Sequence, residues 1–145
     1  MELDNISSIN SLDINFWQIN EFQESSSIQS LVKNALRSNP DWLIVAESRG
    51  SEMLDILNSS LTGHPIITTI HSLDIESMPS RMARMVMMND KKMDFDDVLN
   101  DIYHNIKIYV HLKREIAENG EVYRYISSIG CSYENSIFTI FSKYI

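Results

Sequence analysis

Glycine is scarce in this chain. Its 145 residues contain four, Gly50, Gly63, Gly120 and Gly130, which are placed so that neither GxxxxGK[ST] nor GxGxxG can be written, and the common glycine-rich phosphate cradles are therefore excluded from these residues. Cysteine is scarcer still. Cys131 stands alone, which rules out an internal disulfide and every multi-cysteine zinc motif, and fits a reducing compartment. The longest unbroken aliphatic or aromatic run, Trp42 to Ala46, is far short of the about 20 residues that span a bilayer. The acidic amino terminus also lacks the layout of a signal peptide, so no transmembrane segment is expected and the chain reads as cytoplasmic. Bases are outnumbered: twelve Lys and Arg face twenty Asp and Glu, for a formal charge of -8. That is the wrong sign for a surface that neutralises phosphates along DNA or RNA, and direct nucleic acid binding is not expected.

What is present is an ordinary globular composition, with 43% apolar and 22% charged residues, in a length that suits one domain and one core. Weak alternation predicts a strand over 14–19, followed by a polar loop. Ile28, Leu31, Val32, Ala35 and Leu36 fall at i, i+3, i+4, i+7 and i+8, which puts them on one helical face, and Pro40 ends the segment. Leu43 to Ala46 is short and apolar on both faces, as in a parallel strand buried on both sides. Helical spacing returns over 51–61, a second β-branched strand follows over 66–70, and a methionine-lined helix over 77–88. Strand, helix, strand, helix implies a parallel sheet with crossovers.

Asp94 is placed to cap a helix carrying Phe95, Val98, Leu99, Ile102 and Tyr103. Beyond it, Ile106, Ile108, Val110 and Leu112 alternate, Asn119-Gly120 signals a hairpin, and strands follow over 122–126 and 137–141. The fold expected is a single α/β domain over 1–145, its sheet parallel through residues 1–90 and an antiparallel meander with one helix over 91–145.

In open α/β sheets, ligands bind beyond the carboxyl ends of the strands. The polar residues there are Glu47 and Arg49 after the first buried strand, His71 after the second, and Asp4 after the apolar start. A carboxylate in that place can orient a water, and an imidazole can respond to charge on a phosphoryl group. The remaining constellations are weaker. The histidines at 64, 71, 104 and 111 form i, i+7 pairs that do not match zinc spacings, so no structural metal is assigned. Cys131 has no accompanying base. Met78, Met82, Met85 and Met88 fit a core face, and Asp94, Asp96, Asp97 and Asp101 suit the amino-terminal half of a helix.

The string LVKNALRSNPDWLIVAESRGSEMLDIL, with Leu36, Arg37, Pro40, Asp41, Glu47, Arg49, Gly50, Glu52 and Asp55, resembles the Walker B region of the traffic ATPases of type II and type IV secretion, pilus assembly and conjugation. The next string, TGHPIITTIHS, resembles that family's histidine box through Thr62, Gly63, His64, Thr68, Thr69 and His71. Ala46 stands where the family usually has glycine, a small exchange.

The resemblance implies the carboxyl-terminal part of a RecA-like ATPase core. Glu47 would polarise the attacking water and His71 would sense the γ-phosphate, with Arg49, His64 and Asp4 near the nucleotide. It also implies ATP with magnesium in the full-length protein, self-association into a hexameric ring, and platform partners at the inner membrane. The phosphate loop with its lysine and magnesium-binding hydroxyl would lie upstream of Met1, so the 145 residues alone are expected to be inactive. The alternative is a stand-alone, catalytically dead interaction module that docks on a full-length secretion ATPase or its membrane platform.

Overall fold

The computed structural model describes residues 14, 15, 17, 27–89 and 92–143, and these divide between Ile70 and His71 into two compact units. The strand expected over 14–19 lies largely outside the described residues, as does Asp4.

The first unit contains α1 (Ile28–Arg37), β1 (Leu43–Val45), α2 (Met53–Leu61) and β2 (Ile66–Thr68). α1 starts where the Ser27 hydroxyl accepts the Ser30 amide at 3.2 Å, satisfying one of the free donors of the first turn. It stops at Asn39, which takes a left-handed φ of 47° and is followed by Pro40, a residue that cannot continue a helix. α2 ends in a similar way, with Gly63 at φ 89° and its amide on the Ser60 carbonyl at 3.0 Å.

The strands pair in parallel, with Leu43 opposite Ile66, Ile44 opposite Ile67 and Val45 opposite Thr68. Parallel pairing requires a crossover, and α2 supplies it and packs against β2. Burial differs from the sequence expectation. Leu43 and Val45 are buried together with Met53, Ile56 and Leu57 of α2, whereas Ile44 and its neighbour Ile67 are exposed. Side chains of a strand alternate between faces, and among the described residues only one face of this pair is covered. β2 also ends two residues earlier than the apolar run, because Thr69 is taken up by the loop that follows β1.

The second unit holds α3 (Met78–Val86), α4 (Phe95–Asn105), β3 (Ile108–Ile116), β4 (Val122–Tyr133) and β5 (Ser136–Ser142). Met78, Met82 and Met85 are buried and Met88 is exposed, so the methionine stripe is core for three of its four members. α4 begins at Asp94, whose carboxylate accepts the amides of Asp96 at 2.8 Å and Asp97 at 3.2 Å. It packs on α3 and buries Val98 and Ile102.

The three strands form an antiparallel meander in the order β3-β4-β5. Gly120, at φ 83°, turns the first hairpin. The second turns on Glu134 and Asn135, both left-handed at φ 44° and 59° between the paired Tyr133 and Ser136, as a primed two-residue turn requires. Gly130 marks a close approach: a Cβ there would lie 2.6 Å from Ile137 Cγ2 and 2.8 Å from Ile75 Cδ1. The alternating Ile108, Val110 and Leu112 point outward and are exposed, and the buried residue of β3 is Tyr109.

Tyr109 is 3% exposed, and among the described residues its hydroxyl has no hydrogen-bond partner. Burial, with Tyr103 adding to it, pushes this phenol above its ordinary value of 10.0. The neutral form is the one the fold holds, so its contribution is intact below pH 10 and is lost as pH rises from there toward the raised value. Tyr109→Phe is therefore expected to match the parent in urea midpoint at neutral pH, since an apolar replacement of an unbonded hydroxyl is near neutral. It should exceed the parent in strong alkali. A variant that is weaker at both pH values would contradict this account.

Candidate functional site at the end of the parallel strands

The site is built where β1 stops. Val45 is the last paired residue, Ala46 follows, and Glu47 turns into the left-handed region at φ 55°. That conformation costs a residue with a side chain about 1–2 kcal/mol and persists only where neighbours enforce it. The neighbours are identifiable. The Glu47 amide donates to the Thr69 hydroxyl at 3.0 Å and the Ser48 amide to the Thr69 carbonyl at 2.8 Å, so one threonine just beyond β2 receives two successive amides.

A second anchor comes from the start of α2. Oε1 of Glu52 accepts the amides of Arg49 at 2.6 Å and Gly50 at 2.9 Å. Partial burial pushes the Glu52 carboxyl up, but the Arg49 and Gly50 amides outweigh it and hold it below its ordinary 4.5.

Between these anchors, the Glu47 carboxylate meets the Arg49 guanidinium at 2.5 Å. The two groups differ in exposure: the Glu47 side chain is 20% exposed and that of Arg49 76%. The hydrogen bond to Glu47 and the charge of Glu47 raise the Arg49 pKa. An ion pair this open to water adds little stability, and its effect is to orient the carboxylate. The arrangement is a carboxylate at the carboxyl end of a parallel strand, its backbone fixed from two sides, with one cation beside it. It can orient and partly deprotonate a water.

The other residues singled out in the sequence fall in different places. His71 is exposed and begins the second unit, three residues after β2 ends. His64 precedes β2, with its Nδ1 3.1 Å from the Thr62 hydroxyl, and so sits at the opposite end of the strand pair from Glu47. Asp4 lies outside the described residues. The sequence reading assigned no task to Thr69 or Glu52. Both lie in the strings that resemble the family; a carboxylate three residues after Arg49, in the turn before a helix, was the local signal for Glu52, and no local period shows what the Thr69 hydroxyl binds.

This parallel strand pair, with its crossover helix and acidic strand-end loop, is a partial RecA-like ATPase fold. The crystal structure of the VirB11 ATPase of the Brucella suis type IV secretion system, solved with sulphate, overlays on 70% of this chain and 30% of its own at a TM-score of 0.61 and 27% identity. The ATPase DotB of Legionella pneumophila shares the fold at a TM-score of 0.56 and 24% identity, over 71% of this chain and 27% of its own.

The family described as "Type II/IV secretion system protein" matches residues 4–132, and the chain belongs to that family of secretion ATPases. Among curated relatives, an uncharacterized protein of Bacillus anthracis is 30% identical over 125 residues, 72% of this chain and 28% of the relative. VirB11 of Brucella suis biovar 1 is 29% identical over 86 residues, 57% of this chain and 24% of its own. The chain thus spans less than a third of the length of these relatives. Among the described residues, no helix is long and apolar enough to cross a membrane.

Proposed function

We propose that this chain is the water-activating part of a secretion or pilus-assembly motor, and that it works when joined to the part that holds the nucleotide phosphates. The observation that carries the reading is Glu47, a carboxylate held left-handed at the carboxyl end of a parallel strand, with its amide on Thr69 and its side chain on Arg49. In this role Glu47 accepts a proton from the attacking water, Arg49 sets the orientation of its carboxylate, and His71 responds to the charge released at the terminal phosphate.

ATP with its magnesium supplies the phosphoanhydride and the charge that the metal neutralises. The residues present fit only part of that ligand. Glu47 offers a carboxylate to a water, but four scattered glycines leave no amide nest for the β- and γ-phosphates within these residues. The whole motor assembles as a ring on the cytoplasmic side of the membrane, through platform partners.

The test is hydrolysis. The 145-residue chain should release no phosphate from ATP above background, and the same residues placed behind the phosphate-loop half of the family fold should do so in a magnesium-dependent way. Robust turnover by the short chain would refute the division of labour. Inactivity of both would leave the interaction module, docked on a full-length ATPase, as the better reading.

A further inference from the structure

We propose that Thr69 is a positioning residue for Glu47: its hydroxyl and carbonyl oxygens grip two successive amides and so fix the left-handed backbone that aims the glutamate. The inference rests on the reading of Glu47 as the water-activating carboxylate. It deepens that reading by naming the group that sets the aim.

The argument starts from what the left-handed conformation needs. Glu47, unlike glycine, does not take φ 55° without enforcement. The enforcement must act at the peptide itself, because the Arg49 ion pair touches only the far end of the side chain. Among the described residues, Glu52 and Thr69 accept amides of this loop. Glu52 binds the amides of Arg49 and Gly50, downstream of the residue in question. Thr69 binds the amides of Glu47 and Ser48, one on each side of the Glu47 α-carbon about which the unusual φ turns. One of these bonds is made by a side chain and can be removed by substitution, while the other is made by backbone and stays.

The adjacent residue supplies the control. The Thr68 hydroxyl is also buried, but among the described residues it has no hydrogen-bond partner. The same change of threonine to valine, one residue apart, therefore carries opposite expectations.

The experiment uses the 145-residue chain, isotopically labelled, and reads two quantities at Glu47: backbone shifts that report the left-handed φ, and the amide exchange rate. Thr69→Val is expected to move the shifts out of the left-handed range and to speed exchange of the Glu47 amide at least about tenfold. Thr69→Ser keeps the acceptor and should restore both readings, and Thr68→Val should match the parent. A Thr69→Val chain whose Glu47 signals equal the parent's would overturn the proposal and leave Glu52 as the anchor. Should the valine chain fail to fold, Thr69→Ala is compared with Thr69→Ser, and equal Glu47 signals in those two would overturn it as well. Neither reading depends on ATP turnover. A failure of the hydrolysis assay would therefore remove the catalytic meaning of the aim while the Thr69 backbone result stood, and an unchanged Glu47 signal in Thr69→Val would remove the Thr69 anchor while hydrolysis stood, so the two failures are told apart.

Discussion

Glu47→Gln, made in the chain that includes the phosphate-loop half, is expected to lower ATP turnover at least about tenfold, a loss of about 1.4 kcal/mol or more of transition-state stabilisation. The substitution suits the site. Glutamine has the shape of glutamate and keeps an oxygen for the Arg49 guanidinium, and the Thr69 and Glu52 anchors bind backbone amides that the change leaves alone. What disappears is the negative charge and with it the capacity to take a proton from water. The loss should therefore fall on kcat, with KM for ATP and the folded state near their original values. An unchanged kcat would show that Glu47 does no work in hydrolysis. A rise in KM alone would make it a binding group and not a base.

The largest expected effect on stability is in the second unit. Ile102 is 0% exposed in α4, which packs on α3. Ile102→Ala removes three carbons from that contact and leaves a cavity the neighbours only partly fill, a change that costs about 2–5 kcal/mol. Whole domains of this kind are stable by about 5–15 kcal/mol, so one substitution consumes a large share. Urea unfolding followed by circular dichroism should show the midpoint drop steeply. A shift smaller than about 1 kcal/mol would mean that the α3–α4 contact collapses around the missing atoms.

Much of the fold was legible because its elements obey simple periods. The i, i+3, i+4 spacing located α1 and α4, Asp94 marked where α4 begins, and two short β-branched runs marked the parallel strands. Asn119-Gly120 located the first hairpin. The strand after it was read too short, because Ser127, Ser128 and Gly130 look like a break in the sequence, yet β4 runs on through them to Tyr133 with bulges that absorb the irregularity. The second turn was missed for a related reason. Glu134-Asn135 lacks glycine, and only its two-residue length and the tolerance of asparagine for positive φ betray it.

Burial was harder to read than secondary structure. Ile44, Ile67, Ile108, Val110 and Leu112 are as apolar as their buried neighbours, and the pattern alone cannot say which face of a strand is covered. At the site, Glu47 and Arg49 were visible as strand-end polar residues, but the forces that hold them were not. The bond that Thr69 accepts from the Glu47 amide joins residues 22 apart in sequence, and no local period records it.

The turn at Asn119 also gives the molecule a clock. The Asn119 carboxamide donates to the Glu121 carboxylate at 2.9 Å, and its oxygen accepts the Glu121 amide at 3.0 Å. Gly120 places no side chain over its own amide nitrogen, which donates to the Ala117 carbonyl at 2.9 Å and must leave it before it can attack that carboxamide; the asparagine then loses ammonia and becomes aspartate or isoaspartate. Each such event would replace a donor facing Glu121 with a second negative charge, in a chain already at -8. Old preparations of this protein would then differ from fresh ones at the tip of the β3–β4 ribbon, far in sequence from Glu47.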